Sequence, residues 1–297
     1  MSASRVVISG ASGLIGGALT QSLRADGIRV VHLVRRPPRG ADEIEWLTGA
    51  PLDPEVLAGA TAVINLNGAS IGRLPWGRQY QQTLLRSRIE PTAVLADALI
   101  ALGTSAPALL SASAVGYYGD RPGESLDESS SPGRTFLAEV CVRWEAEARR
   151  AADATRVVLL RTAPLLHPDA VLKPMIALTR LGLGGPLGSG RQVWPWISLD
   201  DEVRAIRRLI DSDIAGPVNL AGPTRATANE IGRTLAARLH RPYLLPAPAW
   251  ALRLVLGHPA ADSLLLSDAD VTPRTLTSSG FSFAQPTAEA AIAAAVG

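Results

Sequence analysis

The chain has 297 residues, of which 47% are hydrophobic and 19% are charged. This composition excludes a disordered chain, and the length excludes a small scaffold that depends on disulfides, because both classes lack a sizeable apolar core. The 29 basic and 27 acidic residues leave a formal charge of +2. Because the basic residues form no clustered run, we expect no nucleic-acid partner.

Lysine, cysteine and histidine are all scarce. Lys173 is the only lysine, so any motif that needs a lysine elsewhere is absent. Cys141 is the only cysteine, which excludes an intramolecular disulfide, and the four histidines show no ligand spacing, so we expect no metal. The sequence shows neither an 18-residue apolar run nor a signal-peptide pattern. We therefore expect a cytoplasmic protein with no membrane partner.

Short apolar runs in the first 165 positions predict buried strands, because both faces of a covered parallel sheet are apolar. They lie at residues 5–9, 28–34, 61–67, 108–112 and 156–161, with a weaker strand at 43–47. Longer stretches at 14–26, 78–102 and 132–154 predict the crossover helices. This alternation predicts an α/β fold, a Rossmann-type doubly wound parallel sheet.

The regular alternation of apolar runs and helical stretches ends after position 161. Glycine-rich residues 181–191 predict a loop, and residues 193–197 and 217–220 predict strands. One helix is expected to begin at Ser198 or Asp200. Another begins at Thr227, where Glu230 three residues later completes a capping box. Short helices separated by prolines lead to an alanine-rich amphipathic end; the prolines are Pro246, Pro259 and Pro273.

These elements predict two lobes. Residues 1–166 form a Rossmann domain for NADP, to which residues 198–224 return. Residues 167–197 and 225–297 form a smaller, mixed C-terminal lobe on the substrate side. No polar linker interrupts the chain, so we expect the smaller lobe to pack against the sheet domain.

The sharpest local signal is a buried strand that runs into three regularly spaced glycines and then into a helix. Gly10 permits a tight turn, Gly13 lets a pyrophosphate approach the backbone, and Gly16 lets the helix pack close to the strand. Free N–H groups at the helix start then bind the phosphates. This arrangement predicts a dinucleotide site, with a tight structural turn as the alternative.

The second strand ends in Val34-Arg35-Arg36 and lacks the acidic residue that would bind a free ribose 2′-hydroxyl. A guanidinium can make two charge-assisted hydrogen bonds to a phosphate, so this end favours the 2′-phosphate of NADP. A solvated loop arginine is the alternative.

These segments resemble the extended, atypical short-chain dehydrogenase/reductases, and more narrowly the epimerase-family subgroup of nucleoside-diphosphate-sugar epimerase-like proteins. The resemblance covers nearly the whole chain. Besides the glycine loop it rests on segments 65–69, 87–88, 111–120, 144–145, 161–162, 184–192 and 196–201. The end of the chain resembles the subgroup's own C-terminal extension at Asn219, Pro223, Glu230, 241–242, Gly257, Pro273 and 280–283.

The resemblance implies a set of NADP contacts. The pyrophosphate would contact the glycine turn and the helix start. The 2′-phosphate would contact the end of the second strand, and the adenosine would contact the loop after residue 65. One arginine of the long helix would reach back to the cofactor, and two residues after position 161 would approach the nicotinamide. In that order the implied residues are Gly10, Ser12, Gly13, Leu14, Ile15, Gly16, Arg35, Arg36, Leu66, Asn67, Gly68, Arg88, Pro164 and Leu165.

The chain departs from the family at the catalytic residues. Members with proven chemistry use a serine, a tyrosine and a lysine four residues after the tyrosine. Ser113 matches the serine, but the tyrosine and lysine positions fall on Leu137 and Cys141. Two explanations stay open: either Tyr117 or Tyr118 serves as a displaced proton donor, or the fold keeps cofactor binding without turnover.

The implied function is therefore an NADP(H)-dependent oxidoreductase or epimerase acting on a small substrate with a hydroxyl or carbonyl group. The alternative is a non-catalytic, NADP(H)-binding regulatory or sensor protein. Trp194 and Trp196 are candidates for the wall of a substrate pocket, with a place in the core as the alternative. Ser198 stands where the subgroup often has a histidine. By analogy with relatives, helices 78–102 and 132–154 could pair across a two-fold axis in a homodimer.

Overall fold

A seven-stranded parallel sheet forms the centre of the computed structural model, which describes residues 4–297. The strands are β1 (Arg5–Ser9), β2 (Arg29–Val34), β3 (Glu43–Glu45), β4 (Ala62–Asn65), β5 (Ala108–Ala114), β6 (Ser125–Leu126), β7 (Val157–Thr162), β8 (Gly216–Leu220) and β9 (Asp270–Val271). The short strands β6 and β9 pair with each other, and the other seven form the large sheet.

The large sheet has the strand order β3-β2-β1-β4-β5-β7-β8. The chain runs outward from β1 to β3 and then crosses back to β4 on the other side of β1. In a doubly wound sheet the ligand crevice opens at such a switch point, at the carboxyl ends of the strands. Ser9 and Asn65 are register partners at this end, so the turns that follow them border the crevice.

The described residues also form α-helices on both sides of the sheet. Their bounds are α1 (Leu14–Ala25), α2 (Arg78–Leu102), α3 (Phe136–Arg149), α4 (Leu172–Arg180), α5 (Leu199–Ile210), α6 (Ala228–Arg238), α7 (Ala249–Leu256), α8 (His258–Leu264), α9 (Arg274–Ser278) and α10 (Ala288–Val296).

Helices α1 and α5 cover one face of the sheet, and α2 and α3 cover the other. Val6 and Ile8 of β1 lie in the first core and Val7 lies in the second, and all three are fully buried. Burial on both faces explains why the strands are continuous apolar runs. The predicted α/β, Rossmann-type doubly wound fold is confirmed.

The C-terminal part builds a separate apolar core from α4, α6 and α10. Between the segments of this lobe, the chain returns to the sheet: β8 pairs with β7 as the edge strand, and α5 packs against α1. Helix α7 buries none of its residues, whereas α8 packs against α3. No helix within residues 4–297 is both long enough and apolar enough to cross a membrane.

The predicted helix at 132–154 and the predicted strand at 193–197 are corrected by the structure. The helix predicted at 132–154 spans only Phe136–Arg149, because the Thr135 side chain accepts a hydrogen bond from the Ala138 N–H and caps the helix there. The stretch 193–197 is not a strand, since Val193 and Ile197 make only isolated bridges.

Two helix starts follow the predicted capping chemistry. Ser198 caps α5 by accepting a hydrogen bond from the Asp201 N–H, so of the two candidates Ser198 is right and Asp200 is wrong. Thr227 and Glu230 form both hydrogen bonds of a capping box at α6, which confirms that prediction. Residues 181–191 lie outside helices and strands, as predicted.

Candidate functional site

Two of the three glycines after β1 are required by the backbone around them. Gly10 has a φ of +80°, and a Cβ on it would lie 2.5 Å from the carbonyl oxygen of Leu66. A Cβ on Gly16 would lie 2.5 Å from the carbonyl oxygen of Gly10. The first glycine therefore serves the turn, and the third serves the close approach of α1 to β1.

Gly13 has a different environment. A Cβ on Gly13 would meet only the carbonyl oxygen of Gly10, at 3.4 Å. Gly13 is the N-cap of α1, and within residues 4–297 no side chain caps this helix start. The first turn of α1 thus combines open space, N–H groups without a side-chain acceptor and the positive end of a helix dipole. Such a helix start is an anion-binding site.

The loop after β4 forms the neighbouring wall of the crevice. The Leu66 N–H donates to the Ser9 carbonyl oxygen at 3.0 Å. The Asn67 side-chain amide donates to the Ser9 hydroxyl at 2.6 Å and to the Asn65 Oδ1 at 2.8 Å. These bonds hold the predicted adenosine-side residues directly beside Gly10.

The two arginines after β2 have different surroundings. Arg36 forms a double hydrogen bond to Glu43 of β3, with N–O distances of 2.6 and 2.7 Å. This guanidinium lowers the pKa of Glu43 to about 2. Arg35 is exposed, and its side chain makes no hydrogen bond or ion pair in the part of the chain that the structure describes. Arg35 is therefore the available cation, whereas the ion pair with β3 argues against the predicted cofactor contact of Arg36.

Arg88 reaches from α2 to the loop after β4. Its guanidinium donates to the carbonyl oxygens of Leu84 at 2.9 Å and Ala69 at 3.2 Å. The guanidinium lies 5.2 Å from the ring centroid of Trp144, and a Cβ on Gly68 would lie 3.1 Å from its Cζ. Burial lowers the pKa of Arg88, which has no ion-pair partner among residues 4–297. A partly buried cation of this kind gains most from an added polar or anionic ligand.

Ser113 lies at the end of β5, where the family resemblance predicts the catalytic serine. Its hydroxyl is buried and donates to Glu145 Oε1 at 2.8 Å. Glu145 also accepts hydrogen bonds from Arg161 at 2.8 and 3.0 Å. Ser113 and Arg161 are register partners on β5 and β7, so all three side chains meet beneath α3. The Ser113 proton is thus already shared with a carboxylate of the protein.

Arg161 is the centre of this buried network. Burial lowers its pKa, but the hydrogen bond and the charge of Glu145 outweigh that effect and raise the pKa above its ordinary value. The guanidinium lies 3.5 Å from the ring centroid of Tyr117 and donates to the Tyr118 hydroxyl at 2.9 Å.

The two tyrosines differ in their access to a ligand. Tyr118 is fully buried, its hydroxyl donates to Asn219 Oδ1 at 2.7 Å, and burial raises its pKa to about 12. This placement corrects its prediction as a proton donor. Tyr117 is half-buried, and its hydroxyl reaches solvent without a hydrogen-bond partner in residues 4–297. Tyr117 is the remaining candidate.

Leu137 and Cys141 stand on the first two turns of α3, where the family has its tyrosine and lysine. Gly116 lies against Leu137, since a Cβ on it would be 3.3 Å from Leu137 Cβ. Cys141 is buried, and burial raises the pKa of its thiol to about 12. Phe136 and Leu137 join an apolar cluster with Trp76. This part of α3 therefore offers neither the hydroxyl nor the ammonium group that the family uses.

Four further predicted positions lie farther along the chain. Pro164 and Leu165 follow β7 at its carboxyl end, where the Pro164 carbonyl oxygen accepts from the Ile197 N–H at 3.1 Å. Trp194 and Trp196 are buried in the C-terminal core, and their indole N–H groups donate to backbone carbonyls. This packing corrects the prediction that the two rings form a pocket wall, because Trp196 is only 1% exposed.

The structure assigns partners to residues that sequence reasoning left without a role. Glu145, Arg161 and Asn219 form the buried network, although all three lie in segments that carry the family resemblance. Glu202 of α5 is also fully buried. It accepts a hydrogen bond from the Thr162 hydroxyl at 2.8 Å, while its other carboxyl oxygen has no partner in the described residues. Burial raises the pKa of Glu202 to about 8.

Comparison with protein families agrees with this geometry. Residues 6–221 match the NAD dependent epimerase/dehydratase family. The chain belongs to this family. Residues 247–295 match a second model, a domain of unknown function named DUF1731. The first match contains the crevice, and the second contains α7 to α10.

Similar proteins extend over nearly the whole chain. Epimerase family protein Mb2239 of Mycobacterium bovis is 42% identical over 282 residues, which cover 94% of this chain and 93% of that protein. Epimerase family protein SDR39U1 of mouse is 34% identical and covers 97% of this chain and 98% of its own length. The crystal structure of human epimerase family protein SDR39U1 (isoform2) with NADPH superposes with a TM-score of 0.89 at 32% identity, covering 98% and 99% of the two chains.

Proposed function

We propose that this chain binds NADP(H) in the crevice between β1 and β4. The observation that carries the proposal is the uncapped start of α1 at Gly13, beside two glycines that the backbone requires. The pyrophosphate would meet residues 10–16, and the adenosine would lie along residues 66–68. The similar human protein that was crystallised with NADPH supports this assignment.

Arg35 is proposed to select the phosphorylated cofactor. The 2′-phosphate would lie at the end of β2, where Arg35 is exposed and unpaired among residues 4–297. Arg36 has a structural role there, because its ion pair with Glu43 connects the end of β2 to β3. Arg88, Pro164 and Leu165 would border the remainder of the cofactor.

A direct test of cofactor binding compares how much NAD and NADP each raise the melting temperature of the protein. A ligand that binds only the folded state raises the melting temperature according to its affinity. NADP should therefore raise the melting temperature more than NAD at equal concentration, and Arg35→Asp should remove this difference. Equal stabilisation of the unaltered protein by NAD and NADP would contradict the role of Arg35.

The reaction class we favour is that of an oxidoreductase or epimerase acting on a small substrate with a hydroxyl or carbonyl group. The bound cofactor would supply or accept a hydride at its nicotinamide ring. Tyr117 is the candidate for holding or moving the substrate proton, since its hydroxyl is open to solvent near the carboxyl end of β5. Arg161 stacks on the Tyr117 ring and fixes its orientation.

A non-catalytic NADP(H) sensor is the second candidate, and specific contacts favour it. Ser113 donates its proton to Glu145, and Leu137 and Cys141 offer neither the hydroxyl nor the ammonium group that the family uses. In this alternative the buried network around Arg161 is a structural support of the crevice.

Single-turnover oxidation of bound NADPH separates the two candidates. A panel of carbonyl compounds is mixed with the NADPH complex, and absorbance of the reduced cofactor is followed. If the chain is an enzyme, at least one compound oxidises NADPH, and Tyr117→Phe slows the step while the matched Tyr243→Phe change does not. Tight NADPH binding with no oxidation by any compound would support the sensor and contradict the enzyme.

A further inference from the structure

The C-terminal lobe carries a set of large apolar side chains that are open to solvent. Leu181 is 74% exposed, Leu244 75%, Trp250 69% and Leu254 78%. Leu183 and Leu245 are exposed by about half of their surface. We name this set the lobe surface: Leu181, Leu183, Leu244, Leu245, Trp250 and Leu254. Exposed apolar groups that lie together mark a contact surface.

Backbone hydrogen bonds place these residues side by side. The Gly184 carbonyl oxygen accepts from the N–H groups of Leu244 and Leu245 at 2.9 and 3.1 Å. The Ala247 N–H donates to the Pro186 carbonyl oxygen at 2.8 Å. The glycine-rich loop 181–188 thus runs beside residues 241–247, and α7 begins at Ala249 directly afterwards. On α7, Trp250 and Leu254 lie one helical turn apart on the same face.

The lobe surface is joined to the sheet domain through α8. Helix α8 follows α7 and buries Ala260 against Trp76 and Leu84 of the sheet domain. Helix α7 itself contributes no buried residue. The exposed side chains of α7 therefore close no internal core, while the helix that follows α7 packs on the sheet domain.

The two segments that carry the lobe surface are basic. Segments 170–199 and 231–261 contain no aspartate and no glutamate, but they carry seven cations: Lys173, Arg180, Arg191, Arg233, Arg238, Arg241 and Arg253. The rest of the chain holds all 27 acidic residues and the other 22 of the 29 cations. The two segments that carry the lobe surface are therefore basic, whereas the acidic residues of the C-terminal lobe all lie outside them, at Asp169, Glu230, Asp262, Asp268, Asp270 and Glu289.

Three cations near the lobe surface have no acidic partner in the described residues, whereas Arg253 of α7 pairs with Asp262 at 2.8 Å. Arg180 precedes Leu181, and the Arg241 guanidinium donates to the Arg180 carbonyl oxygen at 3.2 Å. Neither Arg180, Arg241 nor Arg238 makes an ion pair within residues 4–297, and all three are exposed. Unpaired guanidinium groups thus lie next to exposed leucines of the lobe surface.

We propose that the lobe surface binds the face of an anionic lipid bilayer. The leucines would enter the apolar phase of the bilayer, and Trp250 would lie at the level of the headgroups. The arginines would bind the anionic headgroups. Nucleic acid would offer phosphate groups to the arginines, but it has no apolar interior in which the leucines could be buried. The proposal goes beyond cofactor binding, because it uses no residue of the crevice. It also revises our expectation of no membrane partner, since peripheral binding needs no spanning helix.

The test measures sedimentation of the full chain with two kinds of vesicle. One kind is pure phosphatidylcholine, and the other contains phosphatidylglycerol in addition. We expect the protein to sediment with the anionic vesicles at least tenfold more than with the neutral ones, and high salt should weaken this binding. Sedimentation with neither kind of vesicle would overturn the proposal.

Two pairs of variants separate the apolar and the charged contributions. Trp250→Asp with Leu254→Asp should lower the bound fraction at least tenfold, whereas Ile100→Asp on the exposed side of α2 should not. Arg180→Glu with Arg241→Glu should do the same, whereas Arg24→Glu with Arg86→Glu, which changes the charge equally, should not. Melting temperature and NADP binding confirm that each variant is folded.

Two outcomes would contradict the proposal even if the protein sediments. If the control variants lose binding as much as the lobe-surface variants, the attraction is a property of net charge and not of this surface. If the unaltered protein is a dimer in solution and Trp250→Asp with Leu254→Asp makes it monomeric without affecting sedimentation, a second copy of the chain covers the surface instead.

Discussion

The two ends of the crevice differ in what the protein leaves free for a ligand. At the phosphate end, the start of α1 has no side-chain cap and Arg35 has no partner in the described residues. At the other end, where the family resemblance predicts the catalytic serine, Ser113, Glu145 and Arg161 satisfy one another. Polar groups without a partner in the protein indicate a binding site, whereas polar groups that already pair with one another indicate structural support.

The end of β7 shows the same contrast on a smaller scale. Arg161 and Thr162 are neighbours in the chain, so their side chains point to opposite faces of the sheet. Arg161 meets Glu145 in an ion pair, and Thr162 donates a hydrogen bond to Glu202, whose pKa burial raises to about 8. One strand end thus contacts two buried carboxyl groups, one through a guanidinium and one through a hydroxyl.

Breaking the charged pair should have the largest effect. Glu145→Ala leaves the Arg161 guanidinium buried without a counter-charge, which costs about 3–5 kcal/mol of unfolding free energy. Chemical denaturation measures this loss, and NADPH affinity should change little because the phosphate end is intact. Glu147→Ala, which removes only an exposed partner of Arg150, is the control. Equal stability of the two variants would contradict the role of the network.

The protonation of Glu202 should make stability depend on pH. The pKa of Glu202 is raised to about 8 in the folded protein, above its ordinary value of 4.5, so folding favours the protonated acid. This contribution is complete below pH 4.5 and is lost as pH rises toward 8. Relative to Glu202→Gln, the unaltered protein should lose about 2–3 kcal/mol of unfolding free energy between pH 5 and pH 7.

Glu90→Gln on the exposed side of α2 serves as the control for this pH dependence. It should follow the pH dependence of the unaltered protein. Parallel pH profiles for the unaltered protein and Glu202→Gln would show that Glu202 is charged in the folded state.

Neighbouring glycines at the start of α1 test the phosphate end. A Cβ on Gly16 would lie 2.5 Å from the Gly10 carbonyl oxygen, whereas a Cβ on Gly17 would lie 3.8 Å from the Ala11 carbonyl oxygen. Gly16→Ala should therefore cost about 1–3 kcal/mol of stability and weaken NADPH binding at least tenfold. Gly17→Ala should keep NADPH binding and stabilise α1 by about 0.5–1 kcal/mol. Thermal unfolding and NADPH titration of the two variants measure the difference, and indistinguishable variants would contradict the assigned packing.

Local signals explain which parts of the fold could be predicted. The strands are continuous apolar runs because the sheet is buried on both faces, and the glycine turn is set by its own backbone. The capping residues at Ser198 and Thr227 act on adjacent N–H groups. By contrast, apolar residues 193–197 resemble a strand but have no neighbour to pair with along their length, which spacing in one sequence does not reveal.

The candidate site divides in the same way. The glycine turn at residues 10–16 could be predicted because it follows directly on β1, the strand that positions it. The network around Ser113 could not, because Glu145 is 32 residues from Ser113, and Asn219 is 101 residues from Tyr118. Which of two adjacent tyrosines is buried also depends on β8, whose placement the sequence around residue 117 does not contain.

The most direct test of the central claim is the ratio of the Kd values for NADH and NADPH in the unaltered protein, Arg35→Ala and Arg36→Ala. We predict that the unaltered protein binds NADPH at least tenfold more tightly than NADH. Arg35→Ala should bring the two Kd values together, and Arg36→Ala should keep them apart. Equal binding of both cofactors by the unaltered protein, or a preference for NADPH that survives in Arg35→Ala, would contradict the account.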